Sequence, residues 1–261
     1  MSQPNIYAVW QRLAALEPAW RTFPHHYLLY AADGAFHLAQ GEAEWLLPPQ
    51  RAAWIAADLP IQISSAAPVT CASVLFAPAA LPDFPFTCRV FAVSPLAREM
   101  IGYAMRWGAD RDPADAAAGS FFAALATVCL ELAGAPDQFW LPRARSAELG
   151  RALAWMRANL AERISLADAA ASAGVSERTL ARRLSAETGM SWRQVLHRAR
   201  MIAAMELLAR QDSPVIEVAY GVGYESVSAF TTAFRQFAGE TPSAYRGHFG
   251  ARLRDKGKAK G

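Results

Sequence analysis

The C-terminal part of this chain carries one plan twice, at an offset of 50 residues, and that repeat constrains the fold more than anything else in it. In the first copy Ala169, Ala170 and Ala173 lead to Gly174, Val175 and Ser176, after which Leu180 and Leu184 recur at i, i+4. In the second, Val215, Ile216, Val218 and Ala219 lead to Gly221 and Gly223, and Ser226 precedes Phe230, Phe234 and Phe237. Leu180 corresponds to Phe230, Leu184 to Phe234, Gly189 to Gly239 and Ser191 to Thr241. Apolar residues at i, i+3 and i+4 mark one face of a helix, a serine ahead of them is an N-cap, and glycine ends a helix in the left-handed conformation. Ser165 with Asp168 three residues on predicts a capping box, and Ser213-Pro214 predicts a cap followed by proline at the first helical position. Between the copies, Trp192, Val195, Leu196, Ala199, Ile202 and Ala203 stripe one face of a predicted long helix, about Trp192 to Arg210, that holds the two at a fixed separation. A single helix–glycine–helix pattern occurs in many helical proteins. Two copies in register, each with a capped and outwardly polar second helix, are far more specific.

This arrangement is a helix-turn-helix, whose second helix enters the major groove of DNA with its N-terminal residues at the base edges. In the first copy Arg178, Thr179, Arg182 and Arg183 fall outside the apolar face; in the second Ser228, Thr231, Thr232 and Arg235 do. Arg178 and Arg182 can each make a bidentate contact to guanine. Arg183 and Arg235 suit a phosphate or a surface carboxylate equally. Ser176 and Ser226, at helix N-termini, can hold phosphates through their hydroxyl and backbone N–H groups. Charge follows the same division. Residues 1–145 carry nine arginines against twelve acids, a net of −3, while residues 146–261 carry a net of +6, the two giving the overall +3. A basic half joined to a mildly acidic one fits a nucleic-acid-binding domain fused to another.

Residues 148–249 resemble the DNA-binding domain of AraC/XylS-type transcriptional regulators. The resemblance rests on AGVSERTLARRLSAETGMS, on LHRARMIAAMELL, and most specifically on AYGVGYESVSAFTTAFRQFAGETPSAYR, from Gly221-Val-Gly-Tyr224 to Gly239-Glu-Thr-Pro-Ser-Ala-Tyr-Arg246. It implies base-facing positions at Arg178, Ala181 and Arg182 in the first copy and at Ser228, Ala229 and Thr232 in the second. Two of these depart from a strong reading pattern. The Ala181 methyl can touch a thymine but cannot hydrogen-bond, and Thr232 stands where an arginine is common.

The N-terminal half has a different texture. The runs His26–Ala31, Ala35–Leu38, Trp45–Leu47, Ala52–Ala56, Ile61–Ser64, Val69–Phe76 and Arg89–Val93 are short, rich in β-branched or aromatic residues, and separated by turn signals such as Asp33-Gly34 and Pro48-Pro49. They predict a small antiparallel barrel or sandwich. Ser94-Pro95 then opens a helix to about Trp107, and a second helix spans roughly Pro113 to Ala133. The stretches HHYLLYAADGAFHL, EWLLPPQRAAWIAADLPIQI and CRVFAVSPLAREMI resemble the cupin-like sensor domain of some AraC-type regulators. His25, His26, His37, Glu42 and Glu44 suggest a metal site at first sight, but Pro60-Ile61 stands where such domains often have Pro-His, and isoleucine cannot bind metal. The expected site is a pocket for a small effector, with Tyr30, Trp45 and Trp54 giving aromatic area and His26 and His37 polar groups. No nucleophile elbow, phosphate loop or pair of catalytic carboxylates is present in the sequence, so neither an enzyme nor a cofactor is expected.

The expected architecture is α+β: a cupin-like β-barrel with appended helices over 1–142, an all-α double helix-turn-helix domain over 143–250, and a loose basic tail over 251–261. Cys71, Cys88 and Cys129 are sparse and form no CxxC, which suits reduced thiols. The N-terminus has no basic stretch followed by an apolar core, so a cytoplasmic protein is expected. Ala116 to Ala135 mimics a membrane span, with Glu131 its one charge, but it is alanine-rich and flanked by Asp115 and Asp137, as expected of a buried helix. The expected partners are double-stranded promoter DNA, a small effector, RNA polymerase and a second copy of the chain, with Ser94–Trp107 and Pro113–Ala133 as candidate interface helices. Two rivals remain: a metal-dependent cupin enzyme carrying a DNA-binding domain, and an architectural protein that binds DNA without sequence preference.

Overall fold

The computed structural model describes residues 5–135, 139–210 and 213–247. They divide into two compact units, 5–40 with 46–135, and 41–45 with 139–247. The second unit thus starts a few residues before the expected boundary at 142, and the short segment Gly41–Trp45 groups with it. The tail over 251–261 lies outside the described residues.

The first unit holds β1 (Ile6–Leu13), β2 (Leu16–Arg21), β3 (His26–Asp33), β4 (Phe36–Gln40), the last two residues of β5 (Ala43–Leu47), β6 (Arg51–Ile55), β7 (Ile61–Ser65), β8 (Val69–Phe76) and β9 (Cys88–Ala92). One antiparallel sheet runs β1-β8-β3-β6-β9, and within this unit the second runs β5-β4-β7-β2. All seven runs read from the sequence are strands. The strands β1 and β2 lie outside the stretch expected to be β. Each is an edge strand, β1 on β8 and β2 on β7, and Trp10, Gln11, Arg12 and Glu17 are exposed. An edge strand with one wet face needs little apolar alternation, and charges there blunt further pairing.

Helix α1 (Pro95–Ala104) starts as expected, with the Ser94 hydroxyl accepting the Ala97 N–H at 3.2 Å and Pro95 in the first turn. Helix α2 (Ala116–Ala133) starts at Asp115 rather than Pro113, because the Asp115 carboxylate accepts both the Ala118 N–H (3.1 Å) and the Trp107 indole N–H (3.0 Å). Strand periodicity puts Leu28, Tyr30, Trp54, Val74, Phe76 and Phe91 on one side of the first sheet. There they share a buried cluster with Ala97 and Ile101 of α1 and with Phe122, Leu125 and Cys129 of α2. By length and composition α2 is apolar enough to cross a membrane, yet its buried residues are packed into this cluster. The alternate residues Leu29, Ala31, Ala53, Ile55 and Cys71 are buried as well, so β3 and β6 are covered on both faces and read as unbroken apolar runs.

In the second unit β10 (Trp140–Pro142) pairs antiparallel with Ala43–Trp45, and helices follow: α3 (Ala147–Ala158), α4 (Leu166–Ala173), α5 (Glu177–Thr188), α6 (Trp192–Arg210), α7 (Val215–Gly221), α8 (Val227–Ala238) and α9 (Pro242–Arg246). The pairs α4–α5 and α7–α8 are the two helix-turn-helix copies, with α6 between them. The capping box at Ser165 and Asp168 is present, and Gly174, Gly189 and Gly239 hold the left-handed conformation expected of them. The start of α7 differs. Pro214 is its N-cap, with no side-chain capping bond, and the Ser213 carbonyl accepts from Arg246 Nη2 at 2.6 Å. Gly221 is the last residue of α7, and the turn proper is made by Gly223, at φ 79°. A Cβ on Gly223 would lie 2.4 Å from the Leu160 carbonyl oxygen and 2.5 Å from the Arg200 guanidinium, so space and backbone both require glycine.

Candidate nucleic-acid interface

Helix α5 is built from its buried side outward. Leu180 and Leu184 are fully buried, and the Ser176 hydroxyl accepts the Thr179 N–H at 3.2 Å while lying 2.9 Å from the Thr179 hydroxyl. Both hydroxyls are therefore engaged in the cap. The back edge of the helix is tied to α3. Arg183 Nη1 donates to Glu148 at 2.9 Å, and the Glu187 carboxylate accepts the Arg145 N–H (2.7 Å), the Ser146 N–H (3.0 Å) and the Ser146 hydroxyl (2.5 Å). Partial burial pushes the Glu187 carboxyl up, but these donors outweigh it and hold it below its ordinary range. Of the two partners open to Arg183 in the sequence, the structure supplies the carboxylate. Arg178 and Arg182 differ. They are exposed, one turn apart, and make no hydrogen bond or ion pair with any described residue, and Ala181 lies exposed beside them.

Helix α8 presents a quieter surface. The Ser226 hydroxyl caps it by accepting the Ala229 N–H at 3.2 Å. Its core side is aromatic, with Phe230 and Phe234 fully buried, Phe237 nearly so, and a run of ring contacts from Tyr224 to Phe230 (5.6 Å), Phe234 (5.7 Å) and Tyr245 (5.5 Å). Ser228, Ala229, Thr232 and Arg235 are exposed and Thr231 is half-buried. Gln236, also exposed one turn beyond Thr232, was not singled out from the sequence, although its i+4 spacing from Thr232 was there to be read. Helix α6 ties both copies together. Arg200 donates to the Glu162 carbonyl at 2.8 Å on the first side, and His197 Nδ1 lies 3.4 Å from the Tyr224 hydroxyl on the second. Burial, then Arg198, Arg193 and Arg200, keep the His197 pKa down. The buried side of α6 is wider than the expected stripe and adds Met201, Ala204, Met205 and Leu208.

The effector-pocket candidates fall on several strands. Tyr30 and Trp54 belong to the helix-facing core of the first unit. His26 lies at the start of β3, stacked on Phe84 with ring centroids 4.2 Å apart, and its Nδ1 accepts the Ala57 N–H at 3.2 Å. His37 sits half-buried on β4 opposite Ser64, and Trp45 half-buried on β5 opposite Trp140. Glu42 pairs with Arg145, and Glu44 with Arg157 at 2.8 Å. Among the described residues no three His, Cys, Asp or Glu gather as a metal ion would require.

Comparison with known proteins finds similar chains. A family described as a helix-turn-helix domain matches residues 169–248. The chain is 31% identical over 219 residues to the HTH-type transcriptional regulator NimR of Escherichia coli K12, covering 84% of this chain and 78% of that protein. It is 34% identical over 90 residues to the HTH-type transcriptional activator RhaS of Klebsiella pneumoniae, spanning about a third of that relative (32%) and 34% of this chain. Among solved structures, an AraC-type regulator of Chromobacterium violaceum is 25% identical with a TM-score of 0.39, over 41% of this chain and 95% of that one. The DNA-binding domain of AdpA, solved with a target DNA, is 36% identical with a TM-score of 0.37, over 39% of this chain and 92% of that one. Two capped, glycine-turned helix pairs on one linking helix, together with a relative matched over most of both lengths, lead to one conclusion: the chain belongs to the AraC family of DNA-binding helix-turn-helix transcriptional regulators.

Proposed function

We propose that this regulator reads a specific promoter sequence chiefly through α5, and that its first unit senses a small molecule that modulates promoter binding. The observation that carries the first part is the pair Arg178 and Arg182, exposed, one turn apart and unpaired among the described residues, on the N-terminal half of a helix whose other edge is fixed to α3. Each guanidinium can read the O6 and N7 of a guanine. Ser228, Thr232 and Arg235 on α8, with Thr179, Thr231 and the capped N-termini at Ser176 and Ser226, supply phosphate contacts and lighter reading. On this reading the first unit is a cupin-like sensor, and His26, Tyr30, His37, Trp45 and Trp54 remain its candidate effector residues. The protein acts in the cytoplasm as a binding protein rather than an enzyme. It pairs with a second copy through α1 and α2, and meets RNA polymerase at the promoter.

The test is a titration of the full chain with duplex from upstream of its own gene and with random duplex, across a range of salt. Binding to the upstream duplex at least ~10³-fold tighter than to random duplex is the expected result. Equal binding to both would leave an architectural protein in place of a specific regulator.

A further inference from the structure

At one end of the helix-facing side of the first sheet, side chains from three strands place hydrogen-bond donors around aromatic rings. The strand register sets this up. His26 of β3 lies opposite Phe76 of β8, Leu28 of β3 opposite Trp54 of β6, and Trp54 opposite Arg89 of β9. Trp54, Phe76 and Phe91 belong to the helix-facing core, and strand alternation puts His26 and Arg89 on that same side. The segment between β8 and β9 folds back over this end. Its Phe84 stacks on His26 at 4.2 Å and meets Trp54 edge-on at 5.4 Å. Its Phe86 lies 6.0 Å from Phe84 and carries the Arg89 guanidinium over its ring at 5.0 Å.

The Trp54 side chain is fully buried, and its indole N–H has no hydrogen-bond partner among the described residues. Native interiors leave few such groups unmet, and those they leave point to water or to a ligand. Because His26 Nδ1 accepts the Ala57 N–H, the proton of the neutral ring sits on Nε2, a second donor. Arg89 is half-buried and makes no ion pair with any described residue, and Asp83, the acid of the covering segment, is exposed and pairs with nothing among them. Three donors, one of them charged, thus share one side of this end of the sheet with flat apolar rings. The complement is an anionic acceptor on a flat body. A neutral polyol brings donors of its own, and a cation would meet Arg89.

We infer that this end of the first sheet binds a small aromatic carboxylate, with Arg89, the His26 Nε2–H and the Trp54 indole N–H receiving the carboxylate and the ring taking the place that Phe84 now fills. On this inference the ligand displaces Phe84, which is half-buried between Pro82 and Pro85. The inference rests on the reading of the first unit as a sensor, and it locates and specifies that site.

The experiment is calorimetric titration of the full chain with benzoate, phenylacetate and 3-phenylpropionate, and with the matching amides. At least one acid is expected to bind saturably and roughly tenfold or more tighter than its amide, the size of a lost charge-assisted contact. Arg89→Met and Trp54→Phe are each expected to weaken it roughly tenfold while the first unit still unfolds in one cooperative transition, which serves as the folding control. Absence of binding by all three acids, or equal binding of acids and amides, overturns the inference. An acid whose affinity both variants leave untouched also overturns it, while keeping the sensor reading with a pocket elsewhere. An acid that binds as expected but leaves promoter affinity unmoved confirms this site and overturns the sensor reading.

Discussion

The second helices of the two helix-turn-helix copies share one frame and differ in how they are held and in what they show. Helix α5 rests on two buried leucines, Leu180 and Leu184, and takes the rest of its anchorage from polar ties to α3 through Arg183 and Glu187. Helix α8 rests on Phe230, Phe234 and Phe237, joined by ring contacts to Tyr224 and Tyr245. Outside, α5 shows two exposed arginines in its first half, whereas α8 shows Ser228, Ala229, Thr232 and Gln236, with its arginine, Arg235, only in the last turn. A cation there complements the helix dipole as well as it serves a phosphate. The lesson is that anchorage and reading are separable. The helix with the richer apolar anchor carries the plainer surface, and the helix that shows the two exposed arginines is held in part through charge and hydrogen bonds.

The largest expected effect tests the anchors. Phe234→Ala should cost about 3–5 kcal/mol of the second unit's stability, against about 2–5 for Leu184→Ala, read from denaturant midpoints. A Leu184→Ala loss equal to the larger one would mean that α5 is no more dependent on its polar ties than α8. The next effect tests the reading. Arg178→Ala and Arg182→Ala should each lose about 1–3 kcal/mol of promoter affinity with much less change on random duplex, while Thr232→Ala changes the promoter preference little. A Thr232→Ala loss as large as that of Arg182→Ala would erase the proposed division of labour. A smaller effect is expected from Arg235→Ala. It should weaken binding to every duplex alike and reduce the salt slope by about 0.9, the signature of one phosphate contact.

Much of this contrast was legible in the sequence, because helix periodicity and capping are local. Ser165 with Asp168, Ser176, Ser226 and the positive-φ glycines carry their geometry in their own side chains or in the lack of one. What escaped depends on residues distant in sequence. The engagement of Arg183 is set by Glu148, 35 residues away, and the clip at Glu187 by Ser146, 41 residues away. The N-terminal strands β1 and β2 were missed because an edge strand needs so little apolar pattern. The side of the sheet was not legible either. Tyr30 and Trp54 read equally well as facing a barrel lumen, and only the packing of α1 and α2 puts them in the helix-facing core.

The last contrast between the two copies is in their response to acid. His197, beside Tyr224 and Phe237 of the second copy, has its pKa held below the ordinary 6.5 by burial and by three arginines of its own helix. Its unfolded form binds protons more readily than its folded form. The stability it contributes is therefore complete above pH 6.5 and falls as pH drops from there toward the folded pKa. Glu187 has its pKa lowered from the ordinary 4.5, despite partial burial, by donors from Ser146 and Arg145. Its contribution is complete above pH 4.5 and falls as pH drops from there toward its own folded pKa. On acidification the second copy should loosen first and the α3–α5 clip later. Amide exchange followed by NMR would show protection near Phe237 declining below pH 6.5, with protection at Ser146 and Leu149 persisting to about pH 4.5. His197→Gln should flatten the upper step alone and Glu187→Gln the lower alone. A single step removed by either variant would mean that the two copies open as one unit, and the contrast between them would then hold for their surfaces but not for their anchorage.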